Sequence, residues 1–459
     1  MFPPVCSICS NRKTNKMIKT LIVLIYSMFI FAINGLSTPY KAYRGNIYAM
    51  LAMSIAIIWG LYELNPQYLI PSIAALIAGA LTGVIAAHKI SMPDLPQMIA
   101  LLNGLGGLAA GLIGLTETSN ADYHPLLLLF IISIGFITFT GSIAAFLKLA
   151  GARLPADKDT LQTISLIILI LTIISGFYAY HNSGQYLWGF IALLCLWGLL
   201  FILPVGGADM PIIISILNSF SGWSTVLVGF SLNNTLLIIV GTLIGTSGTI
   251  LSYIMTKAMN RSLKKIIFSP PLAITDDIPD KNKTIRQGSP QDAAFLMENA
   301  NKVIIVPGFG MAAAGAQHEL ANMAKILKTK YNVEVKFAIH PVAGRLPGHM
   351  NVLLAEANIN PDDVFELKDI NQEFQTADVA YVIGANDTTN PLAKTKTDSP
   401  IYQMPILEVE QAKKVIFVKR SLATGYSGID NPLFYADNTL MLLGDAKEVT
   451  KQIVADLEE

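Results

Sequence analysis

Long apolar segments constrain this chain more than any other feature of its sequence. Most of them have the ~20-residue length that an α-helix needs to cross the hydrocarbon core of a bilayer. A hydrophobic share of 53% and a mean hydropathy of +0.51 are far above the norm for a soluble domain. We therefore predict a polytopic α-helical membrane domain of about nine spans. The nine segments lie near residues 18–36, 46–64, 68–87, 97–115, 126–147, 161–180, 186–203, 211–230 and 235–255.

Basic residues between the apolar segments indicate the orientation of this bundle. The connections around 65–67, 116–125, 181–185 and 231–234 contain no Lys or Arg. Because basic loops stay in the cytoplasm, we predict that the other connections and the C-terminal domain are cytoplasmic. The basic positions are Lys41, Arg44, Lys89, Lys148, Arg153, Lys158, Lys257, Arg261, Lys264 and Lys265.

Residues 1–17 do not fit that orientation. Nine spans place the N-terminus outside, yet Arg12, Lys13 and Lys16 precede the first span. Such a cluster is typical of the n-region of a signal peptide, and Met17 is an alternative start. We interpret 1–17 as a basic extension or signal-like segment. Cys6-x-x-Cys9 has metal-ligand spacing, but no His or Cys cluster accompanies it, so we predict no metal site.

Charge divides the chain at about residue 265. Residues 1–265 carry 14 Lys/Arg against 7 Asp/Glu, a net charge of +7, whereas residues 266–459 carry 18 against 25, a net charge of −7. The predicted domains are therefore a transmembrane domain over 18–265, a linker over 266–290 and a soluble domain over 291–459. The linker is rich in Pro, Asp and Lys and shows no periodicity.

Strand-like and helical segments alternate along the soluble part. The predicted helices cover 290–300, a stretch ending near 330, 348–357 and a closing helix from 445. This alternation favours a doubly wound, mainly parallel sheet. The predicted strands are Val303–Val306, Val333–Ile339, Val364–Leu367, Val379–Ile383 and Val415–Val418.

A glycine-rich turn follows the first of these strands. Gly308-Phe309-Gly310-Met311 leads into an Ala-rich helix. Such a turn lets the backbone approach a pyrophosphate, and the helix N-terminus offers N–H groups to it. The third glycine of the fingerprint is replaced by Ala313, so a tight turn that only packs a helix on the sheet is the alternative.

The ends of two other strands favour NADP(H) over NAD(H). The second strand ends at His340 without the carboxylate that usually binds the ribose 2′-hydroxyl. Lys419-Arg420-Ser421 follow another strand and suit a 2′-phosphate, with Arg420 as a bidentate donor. The alternative is a solvated pair of surface cations. Gly384–Thr388 also follow a strand, at the edge where ligands of open α/β sheets bind.

A few polar residues interrupt the apolar spans. For each of them an interhelical hydrogen bond is an alternative to a functional role, but together they suggest a hydrated path. Asp209 lies in a cytoplasmic connection, where it either caps the next helix or faces the soluble domain. We predict that this hydrated path includes Asn103, Ser142, Asp209, Asn218 and Ser247.

Long runs of this sequence resemble one family. The soluble part contains VPGFGMA, HPVAGRLPGHMNVLLAEA, VIGANDTTNP, KRSLATGYSG and NPLF, and the membrane part contains GGADMPIIISILNSFSGW and LSYIMTKAMNRS. These runs resemble the β subunit of proton-translocating NAD(P) transhydrogenase. The resemblance covers nearly everything after about residue 45.

The resemblance implies nine spans followed by a Rossmann-like NADP(H)-binding domain. It also implies a separate α subunit that carries NAD(H), and a dimer of α–β units in the lipid of a bacterial inner membrane. Hydride would pass between the nicotinamides, coupled to inward proton movement. The protein would be multi-pass with a cytoplasmic C-terminal domain, and no nucleic acid would be involved.

The resemblance also assigns residues. Asp387 and Arg345 would lie near the cofactor at the interface with the NAD domain, as the catalytic pair, and Tyr426 would lie on a loop that closes over it. Some members have a histidine at the position of Asn103; here the titrating group would be on the partner subunit. The residues around NADP(H) would be Gly308, Phe309, Gly310, Met311, Val342, Ala343, Gly344, Arg345, Leu346, Pro347, Gly384, Ala385, Asn386, Asp387, Thr388, Gln403, Met404, Lys419, Arg420, Ser421, Leu422, Ala423, Thr424, Gly425, Tyr426, Asp445 and Ala446.

A second hypothesis belongs to another class of protein. A membrane transporter whose cytoplasmic domain senses NADP(H) without redox turnover would have the same two parts. This chain contains one candidate dinucleotide site, so hydride chemistry needs a partner chain, whereas sensing does not.

Overall fold

The computed structural model describes most of the chain. The described residues are 12–36, 39–91, 94–118, 125–151, 158–181, 186–206, 209–259, 263, 266, 284–344, 348–397, 399, 401–425 and 427–459. The predicted extension up to residue 11 and most of the predicted linker lie outside them.

Long helices fill the described part of the chain before residue 260, and each overlaps a predicted apolar segment. Seven of them are long and apolar enough to cross a membrane. The apolar parts of the other two, Thr20–Gly35 and Leu187–Ile202, are shorter. A helical membrane domain is thus confirmed, and the number of spans stays a prediction. The helices are α1 (Arg12–Leu36), α2 (Pro39–Glu63), α3 (Pro66–Lys89), α4 (Leu95–Glu117), α5 (Pro125–Leu149), α6 (Lys158–His181), α7 (Leu187–Ile202), α8 (Met210–Ser231) and α9 (Thr235–Ala258).

One compact unit contains α1, α2 and α3 together with residues 225–243. α1 and α2 approach closely at Gly35, where an added Cβ would lie 2.7 Å from the Gly45 Cα. The turn between α8 and α9 reverses at Asn233, whose φ is +49°. Asn234 then accepts the Leu236 N–H (3.0 Å) at the start of α9. No residue of α3 is buried in this chain.

The second unit contains the remaining helices and the C-terminal domain. In it α4 and α5 pack through small residues. A Cβ added at Gly107 would lie 2.7 Å from the Thr138 Cβ, and one at Gly135 would lie 2.6 Å from the Gly111 nitrogen. The glycine-rich face of α4 therefore lets the two backbones approach, the close packing that the spacing of these glycines indicates.

The C-terminal domain is built on a six-stranded sheet in which every strand is parallel to its neighbours. The strand order is β3-β2-β1-β4-β5-β6, so the order reverses between β1 and β4. In open parallel sheets that reversal opens a crevice at the carboxyl ends of the strands. The strands are β1 (Lys302–Pro307), β2 (Glu334–Ile339), β3 (Val364–Glu366), β4 (Val379–Ile383), β5 (Lys414–Lys419) and β6 (Thr439–Leu443).

Helices cover both faces of this sheet, and the side chains of each strand alternate between the two cores. Ile305 and Tyr381 pack into the core beneath the terminal helices, whereas Ile304 and Phe417 pack into the opposite core. Because both faces are covered, the strands read as continuous apolar runs. The helices are α10 (Pro290–Glu298), α11 (Phe309–Ala314), α12 (Gln317–Thr329), α13 (His349–Glu356), α14 (Leu367–Ile370), α15 (Leu392–Thr395) and α16 (Ala446–Glu458).

The structure differs from the prediction in three places. The helix predicted up to about residue 330 is broken at Gly315, whose φ of +64° ends α11 and lets α12 start in a new direction. The edge strand β6 was not predicted, because its short apolar run lies between polar residues and gives no clear period. The end of the predicted linker pairs with β6, since Gly288 N–H donates to the Met441 carbonyl (3.0 Å).

Candidate functional site

The turns after β1 and β4 lie against each other at the carboxyl edge of the sheet. The Gly308 N–H donates to the Ile383 carbonyl and the Gly310 N–H to the Gly384 carbonyl, both at 2.9 Å. A Cβ added at Gly308 would lie 2.4 Å from the Gly384 oxygen. Glycine is required here because only a backbone without side chains can approach so closely.

These hydrogen bonds engage N–H groups that we predicted to bind a pyrophosphate. The Gly308 and Gly310 donors both point to the β4 turn, and the Met311 N–H donates to the Gly308 carbonyl (3.1 Å). The turn lies at the reversal of strand order, but these donors are engaged within the chain. Its contact with a phosphate stays a prediction.

The loop after β2 is fixed by a buried histidine. His340 is 2% exposed. Its Nε2–H donates to the Pro405 carbonyl (2.6 Å), since Nδ1 accepts the Val342 N–H (3.2 Å). Burial lowers the pKa of His340 to about 4, so the ring is neutral at neutral pH. His340 thus ties the predicted cofactor loop that starts at Val342 to the segment around Pro405.

Asp387 holds the segment that carries the predicted closing loop. Its Oδ2 accepts the Ser427 N–H (3.0 Å), and its Oδ1 accepts the Ser427 hydroxyl (2.6 Å). A Cβ added at Gly425 would lie 2.7 Å from that Oδ1. Asp387 is therefore brought together with Gly425 and Ser427. Ser427 was missed, because a single serine in a glycine-rich loop carries no signal of its own.

Beside this contact lie buried polar atoms without a hydrogen-bond partner among the described residues. They are the amide nitrogen and oxygen of Asn386 and the hydroxyl of Thr388. Buried polar atoms are nearly always hydrogen-bonded, and an unmatched one costs roughly 1–3 kcal/mol. Asn386 also has an unusual backbone conformation, with φ −142° and ψ −75°. Donors and acceptors left over at the crevice fit a polar ligand such as a dinucleotide.

Two buried asparagines hold the turns that form the crevice. Asn390 donates to the Asp430 carbonyl (3.0 Å), and its Oδ1 accepts the Leu392 N–H (3.0 Å). Asn431 donates to the Asn386 carbonyl (3.2 Å). Both asparagines are fully buried. They were missed as site residues, although each precedes a proline, and Asn-Pro is a signal for a turn.

Lys419 lies at the end of β5, near the acidic side of the crevice. Its Nζ donates to the Ala423 carbonyl (2.8 Å) and lies 4.3 Å from the ring centre of Phe434. Burial lowers the pKa of the Lys419 ammonium to about 8, against the opposing effect of the Asp387 and Asp430 carboxylates. The predicted cation is therefore partly desolvated, a state in which an anionic ligand is attracted strongly.

Arg420 points to the start of the last helix. Its guanidinium donates to Asp445 Oδ2 (2.9 Å), and the side chain is 68% exposed. Asp445 in turn caps α16 by accepting the Lys447 N–H (3.0 Å). Ser421 accepts the Ala423 N–H (3.4 Å) in the turn that follows Arg420. The structure thus brings Lys419, Arg420 and Asp445 to one end of the β5 and β6 strands.

Two further predicted cofactor residues, Gln403 and Met404, lie in the connection between α15 and β5. Gln403 has a φ of +60° and its N–H donates to the Ala393 carbonyl (2.7 Å). Met404 is buried beside it, in a small core with Ile401 and Ile406. The predicted residues outside the described part of the chain are Arg345, Leu346, Pro347 and Tyr426.

In the helix bundle, two predicted path residues lie on neighbouring faces of α4 and α5. Asn103 is 8% exposed, and its amide donates to the Ile214 carbonyl of α8 (3.4 Å). Ser142 is fully buried, and its hydroxyl has no partner among the described residues. A Cβ at Gly104 would lie 2.9 Å from the Ser142 Cβ, so this serine packs next to Asn103 along the helix.

The remaining predicted path residues are distributed differently. Asn218 is half-buried on α8, and Asp209 is 4% exposed just before that helix. Ser247 is exposed, and its hydroxyl donates to the Ile244 carbonyl of its own helix (2.9 Å). Within this chain Ser247 therefore does not face the interior that contains Asn103 and Ser142.

Comparison with known proteins identifies relatives of this sequence. A family model described as NAD(P) transhydrogenase beta subunit matches residues 18–456. NAD(P) transhydrogenase subunit beta of Rhodospirillum rubrum is 46% identical over 447 residues, which cover 93% of this chain and 96% of that protein. The same values hold for the subunit beta from a designated strain of that species. The matched region includes the bundle and the whole sheet.

Proposed function

Because this chain belongs to the NAD(P) transhydrogenase β-subunit family, we propose that it binds NADP(H) at the carboxyl edge of its parallel sheet. In this proposal it exchanges hydride with NAD(H) held by an α subunit. NADP(H) supplies the hydride donor or acceptor when bound. The membrane helices couple that exchange to proton movement across the bilayer.

One observation carries the cofactor proposal: the unmatched amide of Asn386 and hydroxyl of Thr388 at the reversal between β1 and β4. A ligand that supplies donors and acceptors there would remove the cost of leaving these atoms unpaired. The desolvated ammonium of Lys419 and the guanidinium of Arg420 support a phosphate-bearing ligand over a neutral one.

We assign each residue a role from its position in the site. We assign Lys419 and Arg420 to the 2′-phosphate, and Asn386 and Thr388 to polar groups of the cofactor. Asp387 positions Ser427 at the site, which the two hydrogen bonds from Ser427 support. Arg345 and Tyr426 are proposed to complete the site next to the NAD domain.

The proposed architecture is a Rossmann-type domain after nine spans. α1 and α7 are counted as spans because each overlaps a predicted apolar segment, although their apolar parts are short. We further propose a dimer of α–β units in the inner membrane of a bacterium, with the C-terminal domain in the cytoplasm.

Single-cysteine labelling tests this topology. In a chain with Cys6, Cys9 and Cys195 replaced, an impermeant reagent should label cysteines at 67, 122, 182 and 233 from outside. Cysteines at 89, 158 and 280 should react only after permeabilisation, because they adjoin the basic connections. Labelling of position 280 from outside would exclude the proposed orientation.

Co-expression with an α subunit tests the activity. The copurified complex should transfer hydride between NADPH and an NAD⁺ analogue, and each subunit alone should be inactive. The competing proposal, a membrane transporter that senses NADP(H), predicts NADP(H) binding without turnover in the same complex.

A further inference from the structure

Five helix ends of the bundle meet in one apolar cluster, which we call the bundle-end cluster. It collects the start of α4, the ends of α5 and α7, the start of α8 and the end of α9. The ends of α4, α5 and α9 adjoin connections that carry basic residues. Its buried members are Ala100, Ala144, Ala145, Leu149, Ile202, Val205, Met210, Ile212, Ile213, Ile214, Leu217, Met255, Met259 and Ile266.

Hydrogen bonds fix the shape of this end of the bundle. The Lys148 ammonium donates to the carbonyls of Leu203 (2.6 Å) and Val205, which follow α7. A cation at the end of a helix satisfies carbonyls that have no partner within the helix. The connection after α7 is thereby held against α5, and its apolar residues lie in the cluster.

One residue of the C-terminal domain joins the bundle-end cluster. Among the described residues of 284–459, Val342 alone packs against it. Val342 also packs against a second cluster, which contains Ala393, Ile401, Met404, Ile406 and Ile429. A single half-buried side chain therefore contacts the membrane bundle on one side and the cofactor domain on the other.

The backbone of Val342 is fixed, so its side chain cannot move without its neighbours. Its N–H donates to the ring of His340, which is itself bonded to the Pro405 carbonyl. Met404 adjoins Pro405, and the N–H of Ile429 donates (3.3 Å) to the hydroxyl of Ser427, which Asp387 holds. Displacement of Val342 would consequently shift three described segments in or beside the predicted cofactor site, those at 342–344, 403–404 and 427–429.

We propose that Val342 is the positioning contact through which the bundle and the NADP(H) site influence each other. The contact rests on the proposed function. Val342 transfers neither hydride nor proton. Through this contact, one conformation of the bundle end stabilises one conformation of the cofactor loops, and the reverse also holds. Such coupling is reciprocal, so NADP(H) must alter the contact as much as the contact alters NADP(H) binding. A contact made by one side chain is weak enough to form and break during turnover.

Disulfide trapping tests the contact directly, without requiring activity. In the cysteine-free full chain assembled with its α subunit, Val342→Cys is combined with one cysteine per helix end, at Leu95, Leu149, Leu203, Met210 or Met259. At least one pair should cross-link under mild oxidation, and its yield should change at least twofold when NADP⁺ is added. The matched control is Val352→Cys, an exposed valine of α13, which should not cross-link to the same positions.

A second measurement avoids changing Val342. Leu203→Ala removes a side chain of the bundle-end cluster just after α7, whereas Leu196→Ala removes an exposed one within α7. In the complex, the first should change the rate of NADP⁺ release by about tenfold, within the usual range of coupling between sites. The second should leave that rate unchanged.

The outcomes separate this inference from the proposed function. No cross-link in any of the five pairs, or equal cross-linking from position 352, would overturn the contact. A cross-link whose yield does not change when NADP⁺ is added, together with an unchanged rate of NADP⁺ release in Leu203→Ala, would overturn the coupling role of the Val342 contact. Absence of NADP⁺ binding in the unsubstituted complex would instead refute the proposed function, while the nucleotide-free cross-link would still report on the contact.

Discussion

At the residue scale, the candidate cofactor site combines satisfied groups that hold its shape with unsatisfied groups that face its crevice. Asn390, Asn431 and Asp387 use their polar atoms on neighbouring turns. Asn386 and Thr388 do not, although their side-chain atoms are buried. The first set fixes the geometry, and the second set remains available to a ligand.

Arg420→Ala tests the assignment of the 2′-phosphate. Loss of a charge-assisted hydrogen bond should weaken NADP⁺ binding by about 2 kcal/mol or more, and NAD⁺ binding should hardly change. The fold should tolerate this change, since Arg420 is 68% exposed and an exposed ion pair contributes only about 0–1 kcal/mol. Titration of the full chain with both nucleotides measures the difference. Asp445→Asn, which removes the partner carboxylate alone, is the control. Equal losses for both nucleotides in Arg420→Ala would show that Arg420 supports the fold and not the phosphate.

His340 gives a second prediction, on pH. Burial lowers its pKa from 6.5 to about 4, so between these values the locally opened state binds more protons than the folded state. Stability of the loop is therefore full above about pH 6.5 and decreases as the pH falls toward 4, by about 2 kcal/mol at pH 5. Hydrogen exchange of the amides of Val342 and Ala343 should lose protection accordingly, after correction for intrinsic rates. His340→Gln should exchange faster but without that pH dependence; an equal pH dependence in this variant would assign the effect elsewhere.

At the scale of elements, the site depends on two strand-to-helix turns that touch through their backbones. β1 and β4 are neighbours in the sheet, and the turns that leave them cross at Gly308 and Gly384. The short helix α11 ends after six residues, because Gly315 adopts a left-handed conformation. The crevice is thus shaped by glycines in turns more than by the lengths of the helices.

Gly384→Ala should disrupt this crossing. The residue has a φ of +67°, and an added Cβ would lie 2.3 Å from the Met311 nitrogen. Left-handed strain and overpacking together should cost about 3 kcal/mol. Gly315→Ala is the matched control, since its φ is also positive, +64°, but no atom lies within 4 Å of the added Cβ. That variant should lose roughly 1 kcal/mol. Pulse proteolysis of the C-terminal domain in the full chain compares the two, and equal losses would mean that strain alone matters.

At the scale of the whole molecule, the chain joins a bundle with few polar side chains to a domain that carries a dense polar site. Within the bundle, Asn103 and Ser142 lie on adjoining faces of α4 and α5, and Asn218 is half-buried on α8. Polar groups in such surroundings can hold water in an otherwise apolar interior. Uncharged residues of this kind orient water and do not themselves titrate.

Asn218→Leu tests this role in the assembled enzyme. Proton pumping and reverse transhydrogenation should fall together, because nucleotide exchange is expected to depend on the protonation state of the bundle. NADP(H) binding should remain. Vesicles that report proton uptake and hydride transfer in parallel measure both quantities. Phe230→Leu, at an exposed position of the same helix, is the packing control. Full turnover with lost pumping would indicate a leak, and normal pumping would remove Asn218 from the path.

The sequence by itself determined the two-part architecture. Apolar length and the placement of Lys and Arg are local properties, and a bilayer or a buried parallel strand imposes them on each segment separately. For this reason the positions of the long membrane helices and of β1 to β5 could be read without tertiary information. The resemblance to the transhydrogenase family added the prediction of a partner subunit.

Only the tertiary structure decided which residues meet. Asp387 and Ser427 are 40 residues apart, and His340 and Pro405 are 65 residues apart. Such pairs form because the sheet order brings the ends of distant strands to one edge, and no local pattern encodes that order. The edge strand β6 and the break at Gly315 escaped prediction because a short apolar run and a single glycine suit several conformations until packing selects one. The same reason explains why Val342, an ordinary valine in the sequence, acquires its place between two clusters only in the folded chain.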